Sequence, residues 1–205
     1  MFTKNISFIN FQLKKKDKLT RSKLNLLLIK DDQVIKSLRK SYKDTYSKKI
    51  FKIFKKKLDY RVIGMGGSSL GSQAIYDFLK YKIKKNFFFV NNLQAKQKIN
   101  SNKLYNNLII SKSGNTIETI VNSNVLIKKK EKNLLITENK DSYLKKLAKK
   151  LSAEVVDHNN FIGGRYSVLS EVGMLPSELM GLNPKKFRQL NNLEKNRFFM
   201  NSLIK

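Results

Sequence analysis

Among the first 58 residues or so, apolar side chains at Leu24, Leu27, Leu28, Val34, Ile35, Leu38, Ile50, Ile53 and Phe54 recur near a helical period within a lysine-rich background. That spacing predicts a helical leader over residues 1–58. From about Asp59 the rhythm changes to short apolar runs, YRVIGM, FFFV, NLIIS, NLLIT and AEVVD, separated by stretches with helical spacing at about 69–83, 94–103, 116–130, 141–151 and 170–182. Five such runs alternating with helices argue for an α/β fold, a three-layer αβα sandwich around a five-stranded parallel sheet. Pro184 suits the first turn of a last helix running toward Lys205. Apart from the alternation itself there is no internal repeat and no low-complexity linker.

Composition narrows the chemistry. The 205 residues are 40% hydrophobic, enough for one domain of ordinary size. No cysteine is present, which removes disulfides, thiolate metal sites and cysteine nucleophiles and makes an intracellular protein the default. The lone histidine, His158, lacks clustered carboxylates, so no metal site is expected. The amino terminus has no signal-peptide run, and nothing approaches the ~18 apolar residues that span a bilayer. A cytoplasmic protein without a membrane partner is the expectation.

The net charge of +28 raises nucleic acid as a partner, but 37 of the 43 basic residues are lysine and only 6 are arginine. Specific readers use the planar fork of arginine and stacking aromatics, and no zinc finger, basic zipper or RNP-like segment occurs. Lysines scattered among Asn and Ile fit solvated faces with a general attraction for anions, and no specific nucleic-acid partner is expected.

Three loops that follow predicted strands carry the unusual residues: GMGGSSLG (Gly64 to Gly71), SKSGNT (Ser111 to Thr116) and FIGGRYSVLS (Phe161 to Ser170). In open α/β sheets that end of the strands is where ligands sit. The first loop is not a dinucleotide fingerprint, because Ser69 stands where the third glycine belongs and Asn91 and Asn92 replace the acidic residue. Nor is it a Walker loop, since Ser72 and Gln73 replace the lysine and hydroxyl residue. What remains is close backbone approach at glycine and a helix start whose dipole presents about half a positive charge to an anion. In the second loop, Asn115 is placed to cap a helix with Glu118 reaching back in a capping box, while Ser111, Ser113 and Thr116 supply hydroxyls and Lys112 adds charge. Compact donors at a helix start suit a phosphate monoester, although the same residues also make an ordinary Ser/Asn/Gly turn. In the third loop Arg165 follows two glycines; it is placed either to stabilise negative charge on oxygen or to bridge helix ends by hydrogen bonds.

GMGGSSLG, SKSGNTIET and GGRYSVLSEVGMLP, in this order and spacing, resemble the glucose-6-phosphate isomerase family over residues 59–184. The resemblance implies a sugar isomerase (SIS) domain with strands in flavodoxin-like order. It also implies phosphate-binding roles for Gly67, Ser68, Ser69, Ser111, Lys112, Ser113 and Thr116, and an enediolate-stabilising, catalytic role for Arg165. The reaction it implies is the interconversion of glucose 6-phosphate and fructose 6-phosphate in glycolysis and gluconeogenesis, through ring opening and a cis-enediol, without metal or organic cofactor. A homodimer is the implied assembly.

The sequence departs from the family pattern at Ser72, where proline is frequent, and at Glu171, where a small residue is usual; both are expected to be packing variations. The family's general base, a glutamate, and its ring-opening histidine lie in a later half with no counterpart here. Residues 59–184 are therefore expected to form the sugar-phosphate-binding domain, and 185–205 the start of a helical connection to a missing remainder. Glu138 lacks a supporting motif as a substitute base, and His158 is expected to serve surface or loop packing. A second reading makes the chain a non-catalytic sugar-phosphate-binding SIS domain.

Overall fold

The computed structural model of the protein describes residues 17–30, 32–56, 58–93 and 103–204. They fall into two compact units, Lys43–Pro184 and a smaller one drawn from the described residues up to Tyr42 and from Lys185 onward. The expected helix at 94–103 lies, except for Lys103, outside the described residues.

The smaller unit opens with α1 (Lys18–Ile29), capped by Asp17, and α2 (Gln33–Ser37), capped by Asp32. The larger unit begins with α3 (Lys48–Lys55), whose first turn is capped by Ser47. Then follow β1 (Asp59–Gly64), α4 (Leu70–Leu79), β2 (Asn86–Val90), β3 (Asn106–Ile110), α5 (Ile117–Leu126), β4 (Lys132–Thr137), α6 (Tyr143–Leu151), β5 (Glu154–Asp157) and α7 (Glu171–Leu179). All four strand pairings are parallel, and the order is β2-β1-β3-β4-β5. Every expected apolar run forms a strand.

Alternating residues of the central strands feed two cores, because successive side chains of a strand point to opposite faces. Val62, Leu108, Ile110, Leu134 and Ile136 pack with Phe54 of α3, Tyr76 of α4 and Val172, Leu175 and Leu179 of α7. Their neighbours Ile63, Ile109 and Leu135 pack with Leu126 of α5 and Leu144, Leu147 and Ala148 of α6. Helices thus cover both faces, as the three-layer sandwich requires.

Helix ends fall where local chemistry stops them. The last turn of α6 closes on Ser152 in the left-handed region (φ 48°), and α7 is followed by Gly181 at φ 92°. A 3₁₀ segment, Gly164–Leu169, lies against two helices: a Cβ on Gly71 of α4 would stand 2.7 Å from the Val168 side chain, and one on Gly173 of α7 would stand 2.1 Å from the Val168 carbonyl oxygen.

At the amino-terminal end of the sheet lies a buried polar network. Glu131 accepts from the amides of Tyr105 (3.0 Å) and Lys128 (3.0 Å) and from Asn107 Nδ2 (2.9 Å), and faces Arg61 at 3.5 Å. Arg61 also donates to the carbonyl of Leu126 at 2.8 Å and stacks over the Tyr105 ring. The carboxylate and guanidinium are buried together, so neither is left uncompensated.

Beyond Pro184 the single expected helix is divided into α8 (Leu190–Glu194) and α9 (Arg197–Ser202). Asn196 breaks it, because its side chain accepts from the Phe199 amide and starts a new helix. Within the smaller unit Arg39 clasps Glu194 through two bonds of 2.8 and 2.6 Å. No helix among the described residues is long and apolar enough to cross a membrane.

Candidate functional site

The strand order reverses between β1 and β3, and at their carboxyl ends Gly64 pairs with Ile110. The chain leaves these adjacent positions for opposite faces of the sheet, into α4 and α5. Such a switch point opens a crevice at the strand ends. The first loop sits over it: a Cβ on Gly64 would lie 2.9 Å from the Ile110 carbonyl oxygen and 3.1 Å from Ser68 Cβ. Ser68 therefore stands above the peptide from which Ser111 emerges. Among the described residues its hydroxyl has no hydrogen-bond partner.

Four of the six described helices of eight or more residues have a side chain accepting from their first turn: Asp17, Ser47, Ser142 and Ser170 cap α1, α3, α6 and α7. The other two are α4 and α5, whose cap positions Ser69 and Thr116 make no such bond. Their first-turn amides stay without a side-chain acceptor, at the two strand ends that border the crevice.

Ser69 departs from its expected role. Its hydroxyl is buried and donates to the Gly64 carbonyl at 2.9 Å, while its amide is bonded to the Gly66 carbonyl at 3.1 Å. The residue thus braces the turn from within, and neither polar group faces the crevice.

The second loop is tied to itself by hydroxyls. Ser111 Oγ and Thr116 Oγ1 are 2.9 Å apart, and Ser111 Oγ accepts from the Gly114 amide at 3.2 Å. One of the two hydroxyl protons serves that bridge and the other is available to a ligand. Ser113 is exposed, with its oxygen accepting from the Asn115 amide at 3.2 Å. The expected capping box does not form. Asn115 Oδ1 accepts instead from the Tyr143 amide at the start of α6 (2.9 Å), and the helix begins after Thr116. Lys112 is half-buried, and its ammonium reaches away from its own loop to the Asn160 carbonyl (2.8 Å) and to Glu138 (3.5 Å).

The third loop meets the first backbone to backbone. A Cβ on Gly67 would come 2.1 Å from the Gly164 carbonyl oxygen, and Ser167 Oγ lies 3.3 Å from the Gly67 carbonyl. The close approach demands glycine at 67, whereas Gly163 holds an ordinary φ of −68° and a Cβ on Gly164 would meet nothing within 4 Å. Arg165 is exposed and bonds to none of the described residues, so it does not bridge helix ends.

Behind these loops lies a group of ionisable residues that no sequence motif links. Glu138, at the end of β4, is held below the usual carboxylate range by a 2.5 Å hydrogen bond from Lys140 and by the Lys112 charge. Glu171, read from the sequence as a packing variation, is a fully buried carboxylate that accepts from the Asn159 amide at 2.7 Å. His158 is buried as well, not at the surface, and it has an orienting neighbour. Its Nδ1 is 2.9 Å from the Asn159 carbonyl, an acceptor that assigns the proton to Nδ1, and 3.9 Å from Glu171 Oε1. Burial pushes its pKa below the ordinary histidine value, against the opposing pull of the Asn159 carbonyl and Glu171. The sequence signal for this pair was a carboxylate at a helix position facing the core and the chain's single histidine. No cluster of three or more His, Asp or Glu placed to hold a metal occurs among the described residues.

The structure thus brings Gly67, Ser68, Ser111 and Thr116 together around adjoining strand ends, sets Arg165 on the loop packed against Gly67, and turns Ser69 and the Lys112 ammonium to internal partners.

A family model described as phosphoglucose isomerase matches residues 30–195. Similar sequences include the glucose-6-phosphate isomerases of Methanocaldococcus jannaschii, 34% identical over 138 residues (61% of this chain and 33% of the relative), and Mycoplasma genitalium, 32% identical over 175 residues (72% and 40%). The chain spans about a third to two fifths of the length of these relatives. Among solved structures, a hypothetical protein from Thermus thermophilus shares the fold with a TM-score of 0.65 at 20% identity, covering 87% of this chain and 46% of that one. Tagatose-6-phosphate ketose/aldose isomerase from Escherichia coli does so with a TM-score of 0.55 at 17% identity, covering 71% and 45%.

Proposed function

Because the chain belongs to the phosphoglucose isomerase family, we propose that its crevice binds the phosphate of glucose 6-phosphate or fructose 6-phosphate and that Arg165 faces the sugar carbons. The observation that carries this reading is the pair of uncapped helices, α4 and α5, starting at neighbouring strand ends while the other long helices supply their own caps. Amides left open in that way are a ready anion site, and a phosphate dianion supplies the acceptors that the side chains do not. Ser68, Ser113 and the Ser111–Thr116 pair add hydroxyl donors, giving charge-assisted bonds roughly twice as strong as neutral ones. The Gly67 approach keeps the first turn close, and the Lys112 charge contributes to the field.

Isomerisation moves a proton between C2 and C1 and leaves negative charge on the enediolate oxygens. Arg165, exposed and free of bonds to the described residues, is suited to meet that charge without breaking an existing contact. A general base is also required, with a pKa near the working pH. Glu138 is held ionised by two lysines, so it does not fit that role, and the Glu171 carboxylate is fully buried on the Asn159 amide. The proposal gives this chain substrate binding and charge stabilisation, with proton transfer left to the glutamate that the family resemblance places in a later half. The wider proposal is a homodimeric cytoplasmic enzyme of glycolysis and gluconeogenesis. A second reading is a domain that binds sugar phosphate without turning it over.

Calorimetric titration of the chain with fructose 6-phosphate, inorganic phosphate and unphosphorylated fructose tests the first step. Binding of the two phosphates and not of fructose is expected; equal response to fructose would falsify the phosphate site. An isomerase assay of the chain, alone and mixed with the carboxyl-terminal half of a relative, separates the two readings. Turnover in the mixture supports the enzyme, and binding with no turnover in either supports the domain.

A further inference from the structure

The Arg165 side chain has no bond to the described residues, so its location is set by its backbone alone. Immediately around Arg165, that backbone is fixed by the Gly67–Gly164 contact and by Ser167 Oγ, which donates within the turn to the Gly164 carbonyl at 2.8 Å. Upstream, between β5 and Gly163, the ties are less ordinary. The Asn159 amide donates to Glu171 Oε1 (2.7 Å), and the Asn159 carbonyl takes the His158 Nδ1 proton (2.9 Å). The His158 amide donates to the Thr137 carbonyl (2.9 Å), and Ile162, fully buried, donates back to the Asn159 carbonyl (3.1 Å). One peptide, at Asn159, is thus gripped on both sides by two buried ionisable side chains.

Burying a carboxylate is costly unless its partners are fixed, and a packing role needs no charge at all. Glu171 is the first residue of α7, and its side chain reaches back 12 residues to the Asn159 amide, just before the third loop. The carboxylate sits where the loop has to be held.

We propose that Glu171 and His158 are positioning residues that fix the Asn159 peptide and, through the short segment to Gly164, set the place of the Arg165 guanidinium. This rests on the reading of Arg165 as the group that meets negative charge on the sugar. Neither residue touches substrate; Glu171 acts on the loop through the Asn159 amide, and His158 through the carbonyl of the same residue.

The test compares affinity for 6-phosphogluconate, whose carboxylate places negative charge near the enediolate position, with affinity for fructose 6-phosphate. Their ratio reports what Arg165 contributes, and R165Q is expected to lower it about tenfold, the size of one charge-assisted hydrogen bond. E171A is expected to lower the same ratio by a similar factor through misplacement of the guanidinium. E171Q, which keeps an acceptor for the Asn159 amide, restores most of it, and E171A added to R165Q lowers it no further. Amide hydrogen exchange follows in parallel: E171A and H158Q speed exchange over residues 159–163 and leave 111–116 as in the parent. If E171A does not fold, H158Q, which leaves Glu171 in place, carries both measurements. An unchanged ratio with unchanged exchange overturns the proposal, as does an equal loss of both ligands. A parent chain that binds neither ligand sinks the functional reading and this one with it, whereas a parent that responds to R165Q but not to E171A or H158Q sinks this one alone.

Discussion

A Cβ on Gly67 would stand 2.1 Å from the carbonyl oxygen of Gly164, so the turn after β1 and the turn carrying Arg165 meet with no side chain between them. Substituting Gly67→Ala forces the two apart. Overpacking of this kind costs about 1–3 kcal/mol. Urea unfolding is expected to register that loss, and calorimetry a weaker affinity for fructose 6-phosphate; an alanine variant equal to the parent in both would mean the turns are free to separate.

Ser111 and Ser69 are both buried serines in predicted phosphate loops, yet they should behave differently. Ser111→Ala removes a donor beside the α5 start and is expected to weaken fructose 6-phosphate binding about tenfold, the weight of one hydrogen bond to a charged group. Ser69→Ala removes the bond to the Gly64 carbonyl and is expected to lower stability by about 1 kcal/mol, with a smaller effect on affinity than Ser111→Ala. Titration and unfolding of both variants check the contrast.

Glu131→Ala tests the network at the far end of the sheet. It leaves Arg61 buried without its carboxylate and two backbone amides without their acceptor. Breaking such a pair costs about 3–5 kcal/mol. Unfolding measurements should show a loss of that order, with ligand affinity under folding conditions retained because the network lies away from the crevice.

Acid sensitivity should begin at His158. Burial holds its folded pKa below 6.5, so between that folded value and 6.5 the unfolded chain binds more protons than the folded one. The stability due to neutral burial is therefore complete above pH 6.5 and falls as pH drops below it, until the folded value is passed. Glu138, with its folded pKa below 4.5, adds a second loss at pH below 4.5. Unfolding free energies measured from pH 7.5 to 5 (about the range in which histidine titrates) should decline for the parent and stay flatter for His158→Gln.

The strands were readable because a parallel strand covered on both faces keeps an unbroken apolar run, as NLII of β3 and NLLIT of β4 do. The glycine and hydroxyl motifs were readable as loops at the carboxyl ends of strands because strand ends determine where loops emerge. The cap of α5 was not. Asn115 has every local reason to cap, and it is diverted by the Tyr143 amide, a partner 28 residues away that only the folded chain supplies. Glu171 was misjudged for the same reason: its partners, His158 and Asn159, lie in the preceding loop, and local pattern carries no sign of a reach across the third motif. Ser69, next to Ser68 and identical to it in type, differs only in which way the turn points it.

Val168 couples two glycines in unequal ways. At Gly71 the obstacle is its isopropyl group, so a larger residue at 71 could be tolerated if residue 168 shrank in the same lineage. At Gly173 the obstacle is its carbonyl oxygen, which every amino acid carries. Epistasis can therefore open position 71 to drift, while position 173 has no side-chain substitution elsewhere that would release it.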